Sequence, residues 1–175
     1  VNNAALTTRS NLESTDAAFF DRMVAVNLRA PLLIIRAAVT EFRKRGRGTV
    51  VNIGSINGLA GEENLLAYSI SKGGLTTLTR NLANALAAER IRINQLSLGW
   101  VATANEIALK QREGLPPGWE KNVTRAYAPT GRILAPEEVA AHVAFWLSDD
   151  SAPANGTVYE LDQFSHIGRN VTKTF

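Results

Sequence analysis

Apolar side chains recur at the spacing of an amphipathic helix in the first part of the chain. Pro31 lies inside this stretch and is expected to kink or divide the helix, because proline lacks the backbone donor and clashes one turn back. The stretch ends in cations followed by Gly46, which is a typical helix stop. A helix is therefore predicted over 15–45, with apolar positions at Phe19, Phe20, Met23, Val24, Leu28, Leu32, Ile35 and Val39.

Short apolar runs rich in β-branched residues alternate with further helical patterns. Residues 49–54 predict one buried strand, and Ile91 to Leu98 predicts another. A second helix is predicted over 65–89. A third begins at Pro136, where two acids follow the proline and suit a helix N-terminus. A last short strand is predicted at Thr157 to Leu161.

This alternation predicts an α/β fold with a parallel sheet and right-handed crossovers. No repeat, linker or low-complexity segment divides the chain, so residues 1–175 are interpreted as a single domain. The pattern loosens between 104 and 130, where prolines and glycine interrupt it. The chain opens at Val1 with only a remnant of the strand that should precede the first helix, so we expect an N-terminal part of the fold to be absent.

Composition excludes several other classes of protein. Apolar residues make up 45% of the chain and charged residues 20%, which is typical of a globular protein. The absence of cysteine excludes a disulfide scaffold, a thiolate metal site and a cysteine nucleophile. His142 and His166 are far apart, so no metal is expected. The longest uncharged apolar run, Ala30 to Ile35, is too short to span a bilayer. No signal-peptide pattern is present, and we expect a cytoplasmic protein without a membrane partner.

Candidate chemistry lies where the predicted strands end. Small or polar residues follow each strand, and ligands bind beyond the carboxyl ends of the strands in open α/β sheets. Turns are also rich in such residues, so each segment alone is a weak signal. The segments are Asn3-Ala4-Ala5, Gly54-Ser55 and Gly99-Trp100-Val101-Ala102-Thr103.

Tyr68 and Lys72 are the most informative pair in the chain. Four residues apart on a predicted helix, they share one face. A free phenol has a pKa of about 10 and is a poor base at neutral pH, but a nearby ammonium group favours the phenolate and lowers that pKa. The pair could therefore act as a general acid and base. The alternative is an ordinary surface pair at this spacing.

The order and spacing of several motifs resemble the short-chain dehydrogenase/reductase family. The first of these motifs are Asn3-Ala4-Ala5, Asn27, Gly54-Ser55, Tyr68-x-x-x-Lys72 and Gly99-x-x-x-Thr103. Later motifs extend the resemblance over nearly the whole chain, at Gly131-Arg132-x-x-x-Pro136-Glu137-Glu138, Phe145-Trp146-Leu147-Ser148-Asp149 and Asn155-Gly156. The resemblance implies a Rossmann-like, doubly wound parallel sheet. The N-terminal mononucleotide half of that sheet, with its glycine-rich phosphate loop, is expected to be absent from this chain.

The resemblance also implies roles for four catalytic residues. Tyr68 would exchange a proton with the carbonyl or hydroxyl oxygen of the substrate, and Ser55 would hold the same oxygen. Lys72 would lower the pKa of Tyr68 and hydrogen-bond the ribose of the nicotinamide cofactor. Asn27 would interrupt its helix and keep a water in line with Lys72, forming a proton relay to solvent.

The implied cofactor is NAD or NADP, with the preference left open. Asn3 would steady the central strands, and Ala4 and Ala5 would line the adenosine side. The nicotinamide and pyrophosphate end would be held by Gly99, Val101 and Thr103, besides Tyr68 and Lys72.

Three positions depart from the family pattern. Ala5 stands where the family has glycine, and Leu98 stands where it has proline, so the loop below the nicotinamide is expected to be less rigid. Leu161-Asp162-Gln163 replaces the usual Asp-Gly. The glycines of the chain form no G-x-G-x-x-G turn after a strand.

The resulting hypothesis is an NAD(P)-dependent oxidoreductase that acts on a secondary alcohol or ketone as a homo-oligomer, either tetramer or dimer, packed through its two long helices and C-terminal strand. An alternative is a non-catalytic binding or oligomerisation module. A third reading is polyanion binding, suggested by a net charge of +3 and a pI near 9.5. The basic residues are scattered, which argues against a nucleic-acid partner.

The segment 104–130 matches the variable substrate loop of the family. Apolar residues there could cover an apolar ligand, whereas its cations could meet an anionic or polyhydroxylated one. A solvated lid without a role in specificity is the simpler alternative. The apolar residues are Ile107, Leu109, Leu115, Trp119, Val123 and Tyr127, and the cations are Lys110, Arg112, Lys121 and Arg125. The C-terminal segment, with His166, Arg169 and Lys173, is expected to reach a neighbouring subunit.

Overall fold

The computed structural model describes residues 1–164 and contains a three-stranded parallel sheet. In register, Ser55 lies opposite Leu98, which lies opposite Leu161. The carboxyl ends of the strands therefore meet at one edge, and the predicted α/β fold is confirmed. The spatial order is β1, β2, β3, with bounds Gly48–Ser55, Ile91–Leu98 and Val158–Leu161. His166, Arg169 and Lys173 lie outside the described residues.

The α-helices agree with the sequence pattern except in two places. The short α3 and the longer α5 form where no helix was predicted, and α5 lies in the segment whose pattern loosens. Numbered in chain order, the helices are α1 (Ala17–Val24), α2 (Ala30–Arg45), α3 (Asn57–Ala60), α4 (Leu66–Leu86), α5 (Ala104–Arg112) and α6 (Pro136–Leu147).

A π-helical segment, Ala25–Arg29, separates α1 from α2 and contains Asn27. The expected division of the first helix therefore exists, but it lies before Pro31, which is accommodated in the first turn of α2. Because proline has no N–H, the carbonyl of Asn27, four residues earlier, lacks its usual α-helical donor. The break thus changes the backbone hydrogen bonding at the residue that was predicted to interrupt the helix.

Helices cover both faces of the sheet. On one face, α6 packs through Trp146 against Val51, Ile53 and Leu96. Alternate residues of β1 point to opposite faces, as a strand covered on both sides requires. This layering is that of a doubly wound, Rossmann-like sheet. On the other face, α2 and α4 pack against β1 and β2 through Ile35, Val39, Val50, Ala83, Leu86, Ile91 and Ile93.

The helical rod Ala17–Arg45 is long and apolar enough, by length and composition alone, to cross a membrane. Its most apolar window has a mean hydropathy of 1.5. The sequence-based expectation rested on the shorter run Ala30 to Ile35 and did not anticipate this result. Buried residues recur along the rod every four positions, which is the stripe of a helix packed on a core. They are Met23, Asn27, Pro31, Ile35 and Val39.

Amide and hydroxyl side chains beneath the site tie α4 to the sheet. Thr79 on α4 accepts a hydrogen bond from Asn52 Nδ2 at 2.9 Å and lies 3.2 Å from Gln95 Oε1. Gln95 Nε2 donates to the hydroxyl of Thr76 at 2.8 Å, and Asn2 Nδ2 donates to Asn52 Oδ1 at 2.7 Å. Because buried polar groups require partners, this network fixes the helix against the strands.

Candidate active site

A cleft of about 540 Å³ opens at the carboxyl edge of the sheet. Its size falls in the range of about 300–1,000 Å³ that is usual for small-molecule sites. Ala4 and Asn27, which were predicted as site residues, are not part of its wall. The predicted site residues that do line it are Asn3, Ala5, Ser55, Tyr68, Lys72, Gly99, Val101 and Thr103.

Lys72 is buried beside Tyr68 on α4. Only 3% of its surface is exposed, and its Nζ donates to the carbonyl of Ile53 at 2.7 Å. The same Nζ lies 5.7 Å from the centre of the Tyr68 ring. A solvated surface pair would not hold its ammonium in this way, so the alternative reading of an ordinary surface pair is wrong for Lys72.

Ser55 completes the polar group at the end of β1. It is buried, and its hydroxyl is near enough to the phenol of Tyr68 to lower the pKa of that phenol. The N–H of Asn57 also donates to Ser55 Oγ at 3.2 Å, where the chain turns into α3. The strand end and the helix therefore bring Ser55 and Tyr68, thirteen residues apart in the sequence, into direct contact.

The pKa values of the pair differ from the expectation drawn from the sequence. Burial raises the pKa of Tyr68; the hydrogen bond with Ser55 opposes this rise, and the charge of Glu106 adds to it. Burial lowers the pKa of Lys72 to about 8. The expected lowering of the tyrosine pKa by Lys72 is not found, because desolvation is the largest effect on each group and favours the neutral form of both.

Asn27 lies behind the cleft and joins two segments. Its Oδ1 accepts from the N–H of Leu6 at 2.8 Å, and its Nδ2 donates to the carbonyl of Leu6 at 2.9 Å. Nδ2 also lies 3.1 Å from Ser71 Oγ, and that hydroxyl donates to the carbonyl of Tyr68 at 2.7 Å. The side chain of Asn27 thus clamps the N-terminal segment to α4.

The strand-steadying role expected of Asn3 belongs to its neighbour Asn2. The N–H of Asn2 donates to the carbonyl of Val51, and its carbonyl accepts from the N–H of Ile53, both at 3.0 Å. This bridge adds a fourth parallel segment beside β1. Asn3 is exposed in the cleft wall because successive residues of an extended segment point in opposite directions.

Gly99 allows the chain after β2 to pass close to the end of β3. Its N–H donates to the carbonyl of Leu161 at 2.9 Å, and a Cβ at this position would collide with the carboxylate of Asp162. Asp162, which belongs to a segment that departs from the family pattern, therefore packs against Gly99, which matches that pattern.

The loop after Gly99 is held by an isolated parallel bridge to Leu134. The N–H of Leu134 donates to the carbonyl of Trp100 at 2.9 Å, and its carbonyl accepts from the N–H of Ala102 at 2.8 Å. Thr103 then caps α5, with its Oγ1 accepting from the N–H of Glu106 at 3.2 Å. This cap leaves the hydroxyl hydrogen of Thr103 free to donate, as its predicted cofactor role requires.

Sequence reasoning missed a charged and aromatic side of the cleft. Trp100 Nε1 donates to Glu106 Oε1 at 2.9 Å, and Lys110 Nζ lies 5.9 Å from the centre of the Trp100 ring. Arg9, from the N-terminal segment, lies 3.7 Å from Glu106. The contact between Arg9 and Glu106 joins residues that are far apart in the sequence, so no local spacing predicts it.

The predicted substrate loop contributes polar rather than apolar lining. Trp119 is buried, with its ring 4.9 Å from that of Trp100, and Tyr127 is 72% exposed. Neither residue lines the cleft, whereas Asn105, Glu106 and Lys110 do. The apolar ligand cover that Trp119 and Tyr127 were expected to form is therefore absent from the described part of the chain.

A parallel sheet with helices on both faces, and with a serine, a tyrosine and a buried lysine at its carboxyl edge, defines a dehydrogenase-like α/β protein. The family model described as enoyl-(acyl carrier protein) reductase matches residues 1–163. The chain belongs to the short-chain dehydrogenase/reductase family, and the resemblance drawn from the motifs is confirmed.

Relatives of the chain are named as dehydrogenases. It is 36% identical over 162 residues to D-xylose 1-dehydrogenase of Caulobacter vibrioides, a match that covers 93% of this chain and 63% of that protein. It is 34% identical over 163 residues to 2-(S)-hydroxypropyl-CoM dehydrogenase 3 of Xanthobacter autotrophicus, with the same two coverages. The chain thus spans 63% of the length of these relatives.

Solved structures share the fold. The crystal structure of levodione reductase superposes with a TM-score of 0.82 at 34% identity, covering 93% of this chain and 64% of that one. A 3-ketoacyl-(acyl-carrier-protein) reductase from Brucella melitensis, complexed with NADH, gives a TM-score of 0.78 at 27% identity and covers 96% and 65%.

Proposed function

We propose that the chain is the catalytic part of an NAD(P)-dependent oxidoreductase that interconverts a secondary alcohol and a ketone. The observation that carries this proposal is the buried Lys72, held beside Tyr68 in a cleft wall that Ser55 shares. A phenol and a hydroxyl that share one cleft wall suit a single substrate oxygen, which could accept from one and donate to the other.

Tyr68 is the proposed proton-transfer group. In reduction of a ketone, the phenol donates its proton to the developing alkoxide oxygen; in oxidation of an alcohol, the phenolate takes that proton away. Ser55 supports both directions because its hydroxyl lowers the pKa of Tyr68, which makes the phenol a stronger acid and the phenolate easier to form. The raised pKa of Tyr68 keeps the phenol protonated near neutral pH, so its proton is in place when a substrate oxygen can accept it in the reducing direction.

Lys72 is proposed to balance the negative charge that Tyr68 acquires when it gives up its proton. With a pKa of about 8, it is mostly protonated near neutral pH and can become more fully charged as negative charge develops on Tyr68. The backbone carbonyl of Asn27, which lacks the donor that Pro31 cannot supply, is the proposed anchor of a water that carries protons between Lys72 and solvent.

The cleft wall fits a nicotinamide cofactor. NAD or NADP, when bound, supplies the hydride acceptor or donor. Lys72 and Tyr68 would hold the ribose, while the hydroxyl of Thr103 and the backbone at Gly99 and Val101 would hold the nicotinamide and pyrophosphate end. Gly99 has no side chain and Thr103 retains a free donor, so the chemistry of this donor set supports the assignment. Ala5 would lie on the adenosine side.

A second candidate is a chain that binds ligands in this cleft without hydride transfer. One observation favours it: a relative named inactive 2-(S)-hydroxypropyl-CoM dehydrogenase 2 is 32% identical over 162 residues. The two candidates differ in a single measurable property, the transfer of hydride to a nicotinamide.

The test is a turnover assay on the full chain with NAD⁺ and NADP⁺ and a panel of secondary alcohols, followed by the absorbance of the reduced nicotinamide. We expect turnover with at least one pair, and a fall in kcat of about 100-fold in Ser55→Ala, because losing one hydrogen-bond donor to the reacting oxygen costs at least about that factor. Ser69→Ala on α4 is the matched control, since Ser69 does not line the cleft. Ligand binding without reduction of either coenzyme would support the second candidate instead.

A further inference from the structure

One side of the cleft carries side chains that the proposed proton transfer does not use. Trp100, Glu106 and Lys110 come from the loop after β2 and from α5, and Arg9 comes from the N-terminal segment. The side chains of Glu106 and Lys110 are 20% exposed and that of Arg9 is 35% exposed, so all are reachable from the cleft and only partly solvated.

The two cations of this group are already neutralised. Lys110 Nζ lies 2.6 Å and Arg9 Nη1 lies 3.2 Å from the carboxylate of Glu113, which therefore binds both. Arg9 reaches Glu106 only at 3.7 Å, beyond hydrogen-bond distance. An anionic ligand would have to compete with Glu113 for these cations while facing the charge of Glu106, so the group disfavours anions.

Glu106 lines the cleft and retains a hydrogen-bond acceptor. Its Oε1 accepts from Trp100 Nε1 at 2.9 Å, and within residues 1–164 its Oε2 accepts no hydrogen bond. A partly buried carboxylate oxygen without a donor favours a ligand that brings hydroxyl donors. Glu106 and Tyr68 line the same cleft, and the charge of Glu106 contributes to the raised pKa of Tyr68.

Trp100 supplies an aromatic surface beside this acceptor. Its ring centre lies 4.9 Å from that of the buried Trp119, and the indole N–H is held by the hydrogen bond to Glu106. An aromatic face next to a carboxylate binds the C–H face and the hydroxyls of a polyol at once. Amide side chains on the remaining wall add both donors and acceptors, at the half-buried Asn57 and at the exposed Asn64 and Asn105.

We propose that Trp100 and Glu106 form a specificity subsite for neutral, polyhydroxylated substrates, with Glu106 accepting hydrogen bonds from substrate hydroxyls and Trp100 contacting their carbon backbone. The inference rests on the proposed function for the identity of the reacting carbon, but the subsite itself is defined by binding. Glu106 and Trp100 are thus substrate-selecting residues, distinct from the group around Tyr68.

Tryptophan fluorescence provides the binding measurement, because Trp100 lies in the cleft wall. The full chain is titrated with sorbitol, with gluconate and with 2-hexanol. Sorbitol and gluconate are open chains that differ at one terminal carbon, so they separate neutral from anionic ligands. 2-Hexanol lacks the additional hydroxyls. We expect saturable quenching by sorbitol and weaker binding of the other two.

Glu106→Gln is the diagnostic variant, and Glu13→Gln, at an exposed position away from the cleft, is its control. We expect Glu106→Gln to weaken sorbitol binding about tenfold, since a hydrogen bond to a charged acceptor is worth at least that factor. We also expect the variant to show a smaller difference in affinity between sorbitol and gluconate. Circular dichroism verifies that the variant is folded. Trp100→Phe is a second variant that should also weaken sorbitol binding, here measured by isothermal titration calorimetry because the change removes the fluorescent side chain from the cleft wall. Gluconate binding as tight as sorbitol in the wild type, or an unchanged sorbitol Kd in Glu106→Gln, would overturn the proposal.

The two proposals fail separately. Sorbitol binding that depends on Glu106, without hydride transfer to either coenzyme, supports the subsite and contradicts the proposed oxidoreductase. Turnover of simple secondary alcohols that depends on Ser55, without preference for sorbitol over gluconate or 2-hexanol, supports the oxidoreductase and contradicts the subsite.

Discussion

At the scale of single residues, the site is organised around one buried cation. Lys72 satisfies its ammonium with the carbonyl of Ile53 and lies close to the ring of Tyr68. Burying a charge is unfavourable, and this desolvation cost lowers the pKa of the lysine. For a purely structural role, an apolar side chain at this position would stabilise the fold as well or better. The buried ammonium therefore supports a chemical role.

The burial of Lys72 predicts a pH dependence of folding. An unfolded lysine has a pKa of about 10.4, whereas the folded value is about 8. Between about pH 8 and 10 the unfolded chain binds more protons than the folded one, so the free energy of unfolding rises with pH, by at most about 1.4 kcal/mol per pH unit. Below about pH 8 both states are protonated and the contribution of Lys72 no longer changes.

Urea denaturation across this pH range checks the prediction, with Lys72→Met as the comparison. The variant should lack the rise, because methionine does not titrate. The raised pKa of Tyr68 acts in the opposite direction, but only above about pH 10, where its stabilising effect is lost as pH rises. An equal rise in the wild type and in Lys72→Met would show that the burial of the lysine is not its cause.

At the scale of the elements, α4 is positioned by polar contacts as much as by apolar ones. Thr79 contacts Asn52 on β1 and Gln95 on β2, and its hydroxyl lies 2.8 Å from the carbonyl of Leu75. Gly54 makes room for Gln95, because a Cβ there would collide with the glutamine side chain. The helix that carries Tyr68 is therefore aligned with both strands whose ends form the cleft.

Thr79→Val removes the hydroxyl at nearly constant volume. The amide of Asn52 then loses its acceptor inside the core, and a buried group without a partner costs about 1–3 kcal/mol. We expect the free energy of unfolding to fall by that amount in chemical denaturation. Thr77→Val, an exposed position on the same helix, should change it by less than about 0.5 kcal/mol. Equal effects at the two positions would contradict a special role for the buried network.

The periodic elements were predictable because their apolar positions are set by local geometry. The strand ends at Ser55 and Leu98 and the pairing of Tyr68 with Lys72 follow from the sequence for this reason. The π segment at Asn27 was predicted only as a break near Pro31, because proline identifies a missing donor but not how the preceding turn rearranges. The contact of Arg9 with α5 depends on the folded chain as a whole and has no local signal.

At the scale of the whole molecule, the described residues leave apolar side chains outside the two core clusters. Leu33 and Ile34 on α2 are 51% and 58% exposed, and Phe145 on α6 and Tyr159 on β3 are also exposed. Exposed apolar residues that are scattered singly are ordinary. Adjacent ones on a helix whose other face is already buried favour contact with another protein surface. This arrangement is consistent with the homo-oligomer predicted from the sequence.

Association through α2 predicts a change in size when its outer face is charged. The wild-type chain should elute as a dimer or tetramer in size-exclusion chromatography with light scattering, and Leu33→Glu should shift it towards the monomer, because burying an unpaired charge is unfavourable. Leu12→Glu is the control, since Leu12 is exposed in a different segment. A monomeric wild type, or an unchanged mass in Leu33→Glu, would contradict this interface.

The central claim, that Tyr68 transfers the proton during hydride transfer, is tested most directly by the turnover rate of Tyr68→Phe. Tyr127→Phe is the matched control, because Tyr127 is exposed and lies outside the cleft wall. The account predicts that Tyr68→Phe lowers kcat by at least about 100-fold with ligand binding retained, while Tyr127→Phe is unchanged. Wild-type turnover in Tyr68→Phe would contradict the account.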